Sequence, residues 1–302
     1  MSRLATSVLA LAAALSCTAA LTPRAHAEGH APWPVTRGWT AADEDGYSAF
    51  AAAIGRGVAA GRCHKLSECL NDPASNPLLD PSEPPYVLHA DCADVPYVLR
   101  AIYAQRHGLP FSWSAHMRGT GRDSRYLRDA RPDGWRDASF YATTRQLLRR
   151  IGGEVNSGHF RTAPDVEGSD FYNVRVERGA IRAGTTYYDP NGHVLVVYQI
   201  TDSGDVLMFD GHPDGSITHT RLGQQALGGP RQGGGFKNFR PLVLHHGRAV
   251  RVPNPLLPDW DRTPQSDRRR HLVGGRPAAY VPWVRAQLAR QRPAPSATAP
   301  RS

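Results

Sequence analysis

Apolar residues recur along this chain in two rhythms, one helical and one of strand type, and the change between them falls near its middle. After Cys92, the residues Val95, Val98, Leu99, Ile102 and Tyr103 follow the i, i+3, i+4, i+7, i+8 spacing of a helix with one buried stripe. Gly108 and then Pro110 mark its end. A second helix is predicted over 143–151, closed by Gly152-Gly153, and an Ala-rich one over 47–60. Residues 28–45, around Pro32-Trp33-Pro34, read as an irregular arm, and the five prolines of 71–85 demand a loop. The stretch 118–136, dense in Arg, Asp and Gly, reads as a solvated loop or insertion. From Phe171 onward the pattern turns to strands, predicted at 174–176, 185–188, 194–200 and 206–209, the last two joined by a turn at Asp202-Ser203-Gly204. A short strand at 242–244, a final helix over 281–289 and a Pro/Ala/Ser tail over 292–302 complete the reading, with no internal repeat.

The N-terminal apolar run 8–20 follows Arg3 and ends in Ala25-His26-Ala27, the form of a signal peptide cleaved after residue 27. An exported protein is expected, periplasmic or secreted. A loose lipobox at Ala14-Leu15-Ser16-Cys17 offers lipidation as the alternative. The expected organisation is a signal peptide over 1–27, an N-terminal arm and helix over 28–80, a catalytic domain over 81–290 and a disordered tail over 291–302. No second apolar run reaches the roughly 18 residues of a membrane span. The formal charge of +9 falls to +7 when Arg3 and Arg24 leave with the leader. Only Lys65 and Lys237 are lysines. The basicity is thus diffuse arginine without a nucleic-acid-binding motif, and no nucleic-acid partner is expected.

Four cysteines sort themselves by context. Cys17 leaves with the leader, and Cys63 and Cys69 suit a disulfide in an oxidising compartment. Cys92 is left single, at the start of a helix, where unpaired N–H groups and the dipole stabilise a thiolate. Pro96 requires that Cys92 lie in the first turn or immediately before it. Asp91 or Asp94 can cap that helix, although an acid beside the thiol opposes thiolate formation unless it points away.

Of thirteen histidines, His193 opens the strand Val194-Leu195-Val196-Val197-Tyr198, a rigid mount for a general base. Asp210, seventeen residues on, ends the next strand and is the first choice to orient that imidazole. A tight turn at Ser203-Gly204 sets Asp210 opposite Val197, whereas a four-residue loop sets His212 opposite His193, so His212 is the rival third residue. His89 is a rival base or half of a metal site. No second cluster with zinc-ligand spacing accompanies it, and no metal is expected.

A helix-start Cys, a His heading a strand and a polar residue ending the next strand resemble the papain-like superfamily, with its NlpC-type peptidases, CHAP amidases and transglutaminase-like proteins. Arg182-Ala183-Gly184-Thr185-Thr186-Tyr187-Tyr188 before Gly192-His193-Val194 looks NlpC-type. His107-Gly108-Leu109-Pro110-Phe111 looks closer to the transglutaminase-like branch. Ala93-Asp94 departs from the usual NlpC-type Ser-Gly, and the Cys–His separation of 101 exceeds that of transglutaminase-like proteins. The resemblance covers about 80–215. It implies an α+β papain-like fold with the nucleophile helix packed on an antiparallel sheet. The implied activity is a Cys92-His193-Asp210 thiol hydrolase that cleaves an amide, in peptide or peptidoglycan-like substrate, without a cofactor. A transglutaminase-like acyl transferase, or a non-catalytic envelope protein on the same fold, is the alternative.

Overall fold

A computed structural model describes residues 33–223, 232–265 and 270–290. The leader, Cys17 and the tail expected from the sequence lie outside the described residues. The fold is mixed α+β with antiparallel sheets. The helices are α1 (Ala41–Ala59), α2 (Leu66–Asn71), α3 (Asp94–Arg106), α4 (Thr144–Glu154) and α5 (Tyr280–Arg290). Between α3 and α4 lie β1 (Ser112–Thr120) and β2 (Arg128–Asp137). Then follow β3 (Phe171–Asn173), β4 (Thr186–Asp189), β5 (His193–Ile200), β6 (Val206–Gly211), β7 (Ile217–Arg221) and β8 (Gly235–Phe239). The strands β9 (Leu242–His245) and β10 (Arg248–Arg251) form one small hairpin, and β11 (His271–Val273) and β12 (Arg276–Ala278) another.

The main sheet has six strands in the order β3-β8-β4-β5-β6-β7, with every pair antiparallel. Alternation along β5 sends Val194, Val196 and Tyr198 into one core and Leu195 and Val197 into the other. The first core includes apolar residues of α1, α3 and α4, and the second includes Tyr280, Val284 and Leu288 of α5. From Asp94 to Ala104 every residue of α3 is buried, so this helix is enclosed on all sides rather than on one stripe. Arg100 on α3 is enclosed with it, donates to both Glu44 oxygens (2.9 and 2.5 Å), and stacks 3.2 Å from the centre of the Trp39 ring. That pair ties α3 to α1. Gly108, at φ 62°, turns the chain out of α3 where a side chain would be strained.

Several expectations are corrected. Helix α1 begins at 41 rather than 47, because Thr40 and Asp43 form a capping box that extends it backward. Helix α4 runs through Gly152-Gly153 to Glu154, since packing of Leu147, Leu148 and Ile151 outweighs the weak helix propensity of two glycines. The stretch 118–136 is not a loop but most of the β1–β2 ribbon. The strand expected at 174–176 forms three residues earlier, leaving Val174 as a single bridge to Trp260. Cys63 and Cys69 form the disulfide, which is compatible with export. No helix among the described residues is long and apolar enough to cross a membrane.

Candidate active site

Cys92 lies two residues before α3, half-buried, with a free thiol. Asp91 braces the turn that leads into the helix: its Oδ1 accepts from the N–H groups of Ala93 (2.9 Å) and Asp94 (3.2 Å). Asp94 answers by accepting the Asp91 N–H at Oδ2 (3.1 Å), so the two carboxyls clasp the backbone on either side of Cys92. Burial, and then the neighbouring Asp91 charge, push the Asp94 carboxyl up to about 7. Near neutral pH it therefore carries only part of a negative charge, which eases its opposition to a thiolate two residues away. Pro96 falls in the first turn, where its missing N–H breaks no helical bond.

His193 heads β5, and its Nε2 meets Asp210 Oδ2 at 2.7 Å. The imidazole is held far above its ordinary range, at about 10, first by the hydrogen bond to Asp210 and next by one to the Cys92 side chain. Nε2 is committed to the carboxylate, which leaves Nδ1 as the second ring nitrogen. Asp210 is buried at the end of β6, and its other oxygen accepts from the Thr218 hydroxyl of β7 (3.0 Å). Three successive strands thus supply imidazole, carboxylate and hydroxyl.

The register explains how. Pairing runs Val196↔Phe209 and Val197↔Met208, then slips at a bulge to Gln199↔Leu207. Carried outward from Val196↔Phe209, it sets His212 opposite His193 and Asp210 two pairs further in, opposite Leu195. The tight-turn register that places Asp210 opposite Val197 is not adopted. The carboxylate reaches His193 diagonally, within the range of same-face neighbours. His212 stacks on His193 (ring centres 6.1 Å apart), lies 3.4 Å from the same Asp210 oxygen, and contacts Thr218 Oγ1 at 2.9 Å. Both rivals for the third position are present, and Asp210 takes the hydrogen bond.

Gly211 brings the strand end to the loop that carries Cys92. A Cβ there would fall 2.9 Å from the Asp91 carbonyl oxygen and 3.0 Å from that of Ala90. Only glycine lets β6 lie so close to the residues that precede Cys92. His89, the rival base, is engaged elsewhere, with Nε2 3.1 Å from the Pro213 carbonyl oxygen. No group of three or more His, Cys, Asp or Glu among the described residues is arranged to hold a metal ion. Thr218 escaped the sequence reading because β7 did, although Ile217-Thr218-His219-Thr220-Arg221 carries a strand's composition. No family model, curated protein or solved structure matches the chain.

Proposed function

We propose that this protein is an exported thiol hydrolase of papain-like type, cleaving an amide bond in a peptide with Cys92 as nucleophile, His193 as acid and base, and Asp210 as the group that orients the imidazole. The observation that carries the reading is the hydrogen bond of His193 Nε2 to the buried Asp210, at the strand end that packs against the loop bearing the free thiol of Cys92; it holds the imidazole up to about 10. An imidazolium beside a half-buried sulfur favours the thiolate, the form that attacks a carbonyl. Sulfur–carbon bond formation places charge on the substrate oxygen. The Cys92 N–H, at the unpaired start of α3, is available to receive it. Collapse breaks the carbon–nitrogen bond as His193 gives its proton to the leaving amine. The neutral imidazole then takes a proton from water, whose oxygen attacks the thioester and releases acid and thiol. Asp210 keeps Nε2–H pointed inward throughout.

The test is alkylation of Cys92 by iodoacetamide across pH, followed by mass spectrometry. Reactivity is expected to persist well below pH of about 8.5, where free thiols lose it, and to weaken in His193→Ala. An inert Cys92, or reactivity indifferent to His193, overturns the reading in favour of a non-catalytic protein. Supplying a primary amine with a peptide substrate separates hydrolysis from acyl transfer, since only transfer incorporates the amine.

A further inference from the structure

The outward face of the β1–β2 ribbon carries arginines that the fold does not use. The ribbon is fixed at its base, where the Ser114 N–H donates to Asp170 (2.7 Å) and the Ala138 N–H to the Phe111 carbonyl (3.0 Å). At the other end the Tyr126 hydroxyl donates to the Asn191 carbonyl (3.1 Å), two residues before His193, and Asn156 donates to Ser124 (3.2 Å). Ala115, Leu127 and Ala130 are buried beneath it. On the opposite face Ser114 is buried and Trp135 partly covered, while His116, Arg118, Arg131 and Asp133 are exposed.

Pairing sets Arg118 directly across from Arg131, and Thr120 across from Arg128, with a register slip between the two pairs. Directly opposed residues share a face, and alternation puts Arg118 and Thr120 on the same one. At the slip Asp129 sits at φ 54°, a left-handed conformation that few non-glycine residues adopt. The irregularity turns Arg128 onto the face of Arg118 and Arg131. All three are exposed, and among the described residues none has an ion-pair partner, whereas Arg125 and Arg136 of the same region are paired with Asp123 and Glu154. Asp133, across from His116, is the acid nearest the pair on that face, and Asp137, across from Ser112, lies further along it.

Like charges directly opposed across a ribbon destabilise it, and so does strained backbone. Both costs converge on one face, on a ribbon whose connecting loop is tied to Asn191, two residues before His193. We propose that this face docks an acidic segment of a peptide substrate, with Arg118 and Arg131 gripping its carboxylates. The proposal rests on the thiol-hydrolase reading of the site. Guanidinium and carboxylate match as planar, two-point partners. Asp133 within the same row argues for a peptide rather than a polyphosphate. A polymer charged at every repeat is driven against that carboxylate, whereas a peptide can space its acids around it.

Binding is to be measured on the Cys92→Ala protein, which cannot turn substrate over, so failure of docking is read separately from failure of catalysis. The probe is a fluorescein-labelled peptide of alternating Glu and Ala, with its Gln-Ala counterpart and inorganic polyphosphate as comparisons. The Glu peptide is expected to bind at least about tenfold more tightly than the Gln peptide, with affinity falling as salt rises. R118Q/R131Q is expected to lose about tenfold or more of that affinity, while its melting temperature holds or rises as the repulsion is relieved. Equal binding of the Gln peptide, binding untouched by R118Q/R131Q, or tight polyphosphate binding without binding of the Glu peptide overturns the proposal.

Discussion

Two cations sit in the same six-stranded sheet, and their surroundings drive them in opposite directions. Lys237, on β8, is fully buried, donating to the Thr162 carbonyl (3.0 Å) and to Asn173 Oδ1 (2.6 Å). Both partners are neutral, so desolvation goes uncompensated and the ammonium is pushed down to about 7. His193, on β5, is half-buried and faces the carboxylate of Asp210, which holds its imidazolium up to about 10. A charged hydrogen-bond partner, not depth alone, decides whether a buried base keeps its proton. Lys237 resembles a structural strut, and His193 a stored proton.

The opposite shifts have opposite consequences for stability. His193 binds its proton more tightly folded than unfolded, so its contribution is fully present below about 6.5 and lost as pH rises toward about 10. Lys237 does the reverse. Between about 7 and 10.4 the unfolded chain holds more protons at this residue, so stability rises with pH across that window. In the native protein the two slopes oppose each other.

Asp210→Asn breaks the comparison most severely. It removes the anion while keeping the shape. His193 is expected to fall back toward the ordinary imidazole range, and turnover of any amide substrate to drop by about 10² to 10⁴. Steady-state kinetics, together with the pH profile of Cys92 alkylation, measure both effects. Unchanged turnover removes Asp210 from the proposed mechanism.

Lys237→Met tests the other side. The substitution preserves length but leaves the Thr162 and Asn173 oxygens without a donor, at an expected cost of about 1–3 kcal/mol in urea unfolding. With the rising contribution gone, the slope of stability against pH between 7.5 and 9 is expected to be more negative than in the native protein. That window lies above the Asp94 titration at about 7 and below the ionisation of the unfolded tyrosines. A slope identical to that of the native protein contradicts the neutral, buried lysine.

Thr218→Val should give the smallest effect. It deletes the hydrogen bond to Asp210 Oδ1 and the one shared with His212 Nε2, and leaves the His193 bond in place. A loss of about 0.5–1.5 kcal/mol in stability is expected, with turnover reduced about tenfold or less. A collapse as deep as that of Asp210→Asn would move Thr218 from support to necessity.

The same contrast shows which parts of the molecule could be read in advance. The His193 side of the sheet was legible because β5 and β6 are consecutive, strongly apolar and joined by a short turn, so Asp210 and His212 could be named as the candidates. The Lys237 side was not. Strand β8, Gly235-Phe236-Lys237-Asn238-Phe239, is buried throughout yet carries a lysine and an asparagine, and it slots between β3 and β4 from far along the chain. Its polar residues are satisfied only by partners on other segments, among them Asn173, Asp259 and the Thr162 and Ala180 carbonyls. The β1–β2 ribbon was missed for a related reason. Its strands are held by backbone pairing and by small residues packed beneath, while its composition is that of a solvated loop.

By itself the sequence was enough to determine what is local. It set Cys92 just ahead of an apolar helix, His193 at the head of a strand, and Cys63 within bonding distance of Cys69. Each depends on periodicity or spacing over a few residues. Only the tertiary structure decided which oxygen His193 would meet, that Asp91 and Asp94 would clasp the Cys92 backbone, and that Arg118 and Arg131 would face each other. Those outcomes turn on strand register, a bulge and burial, all of which arise when distant segments pack together.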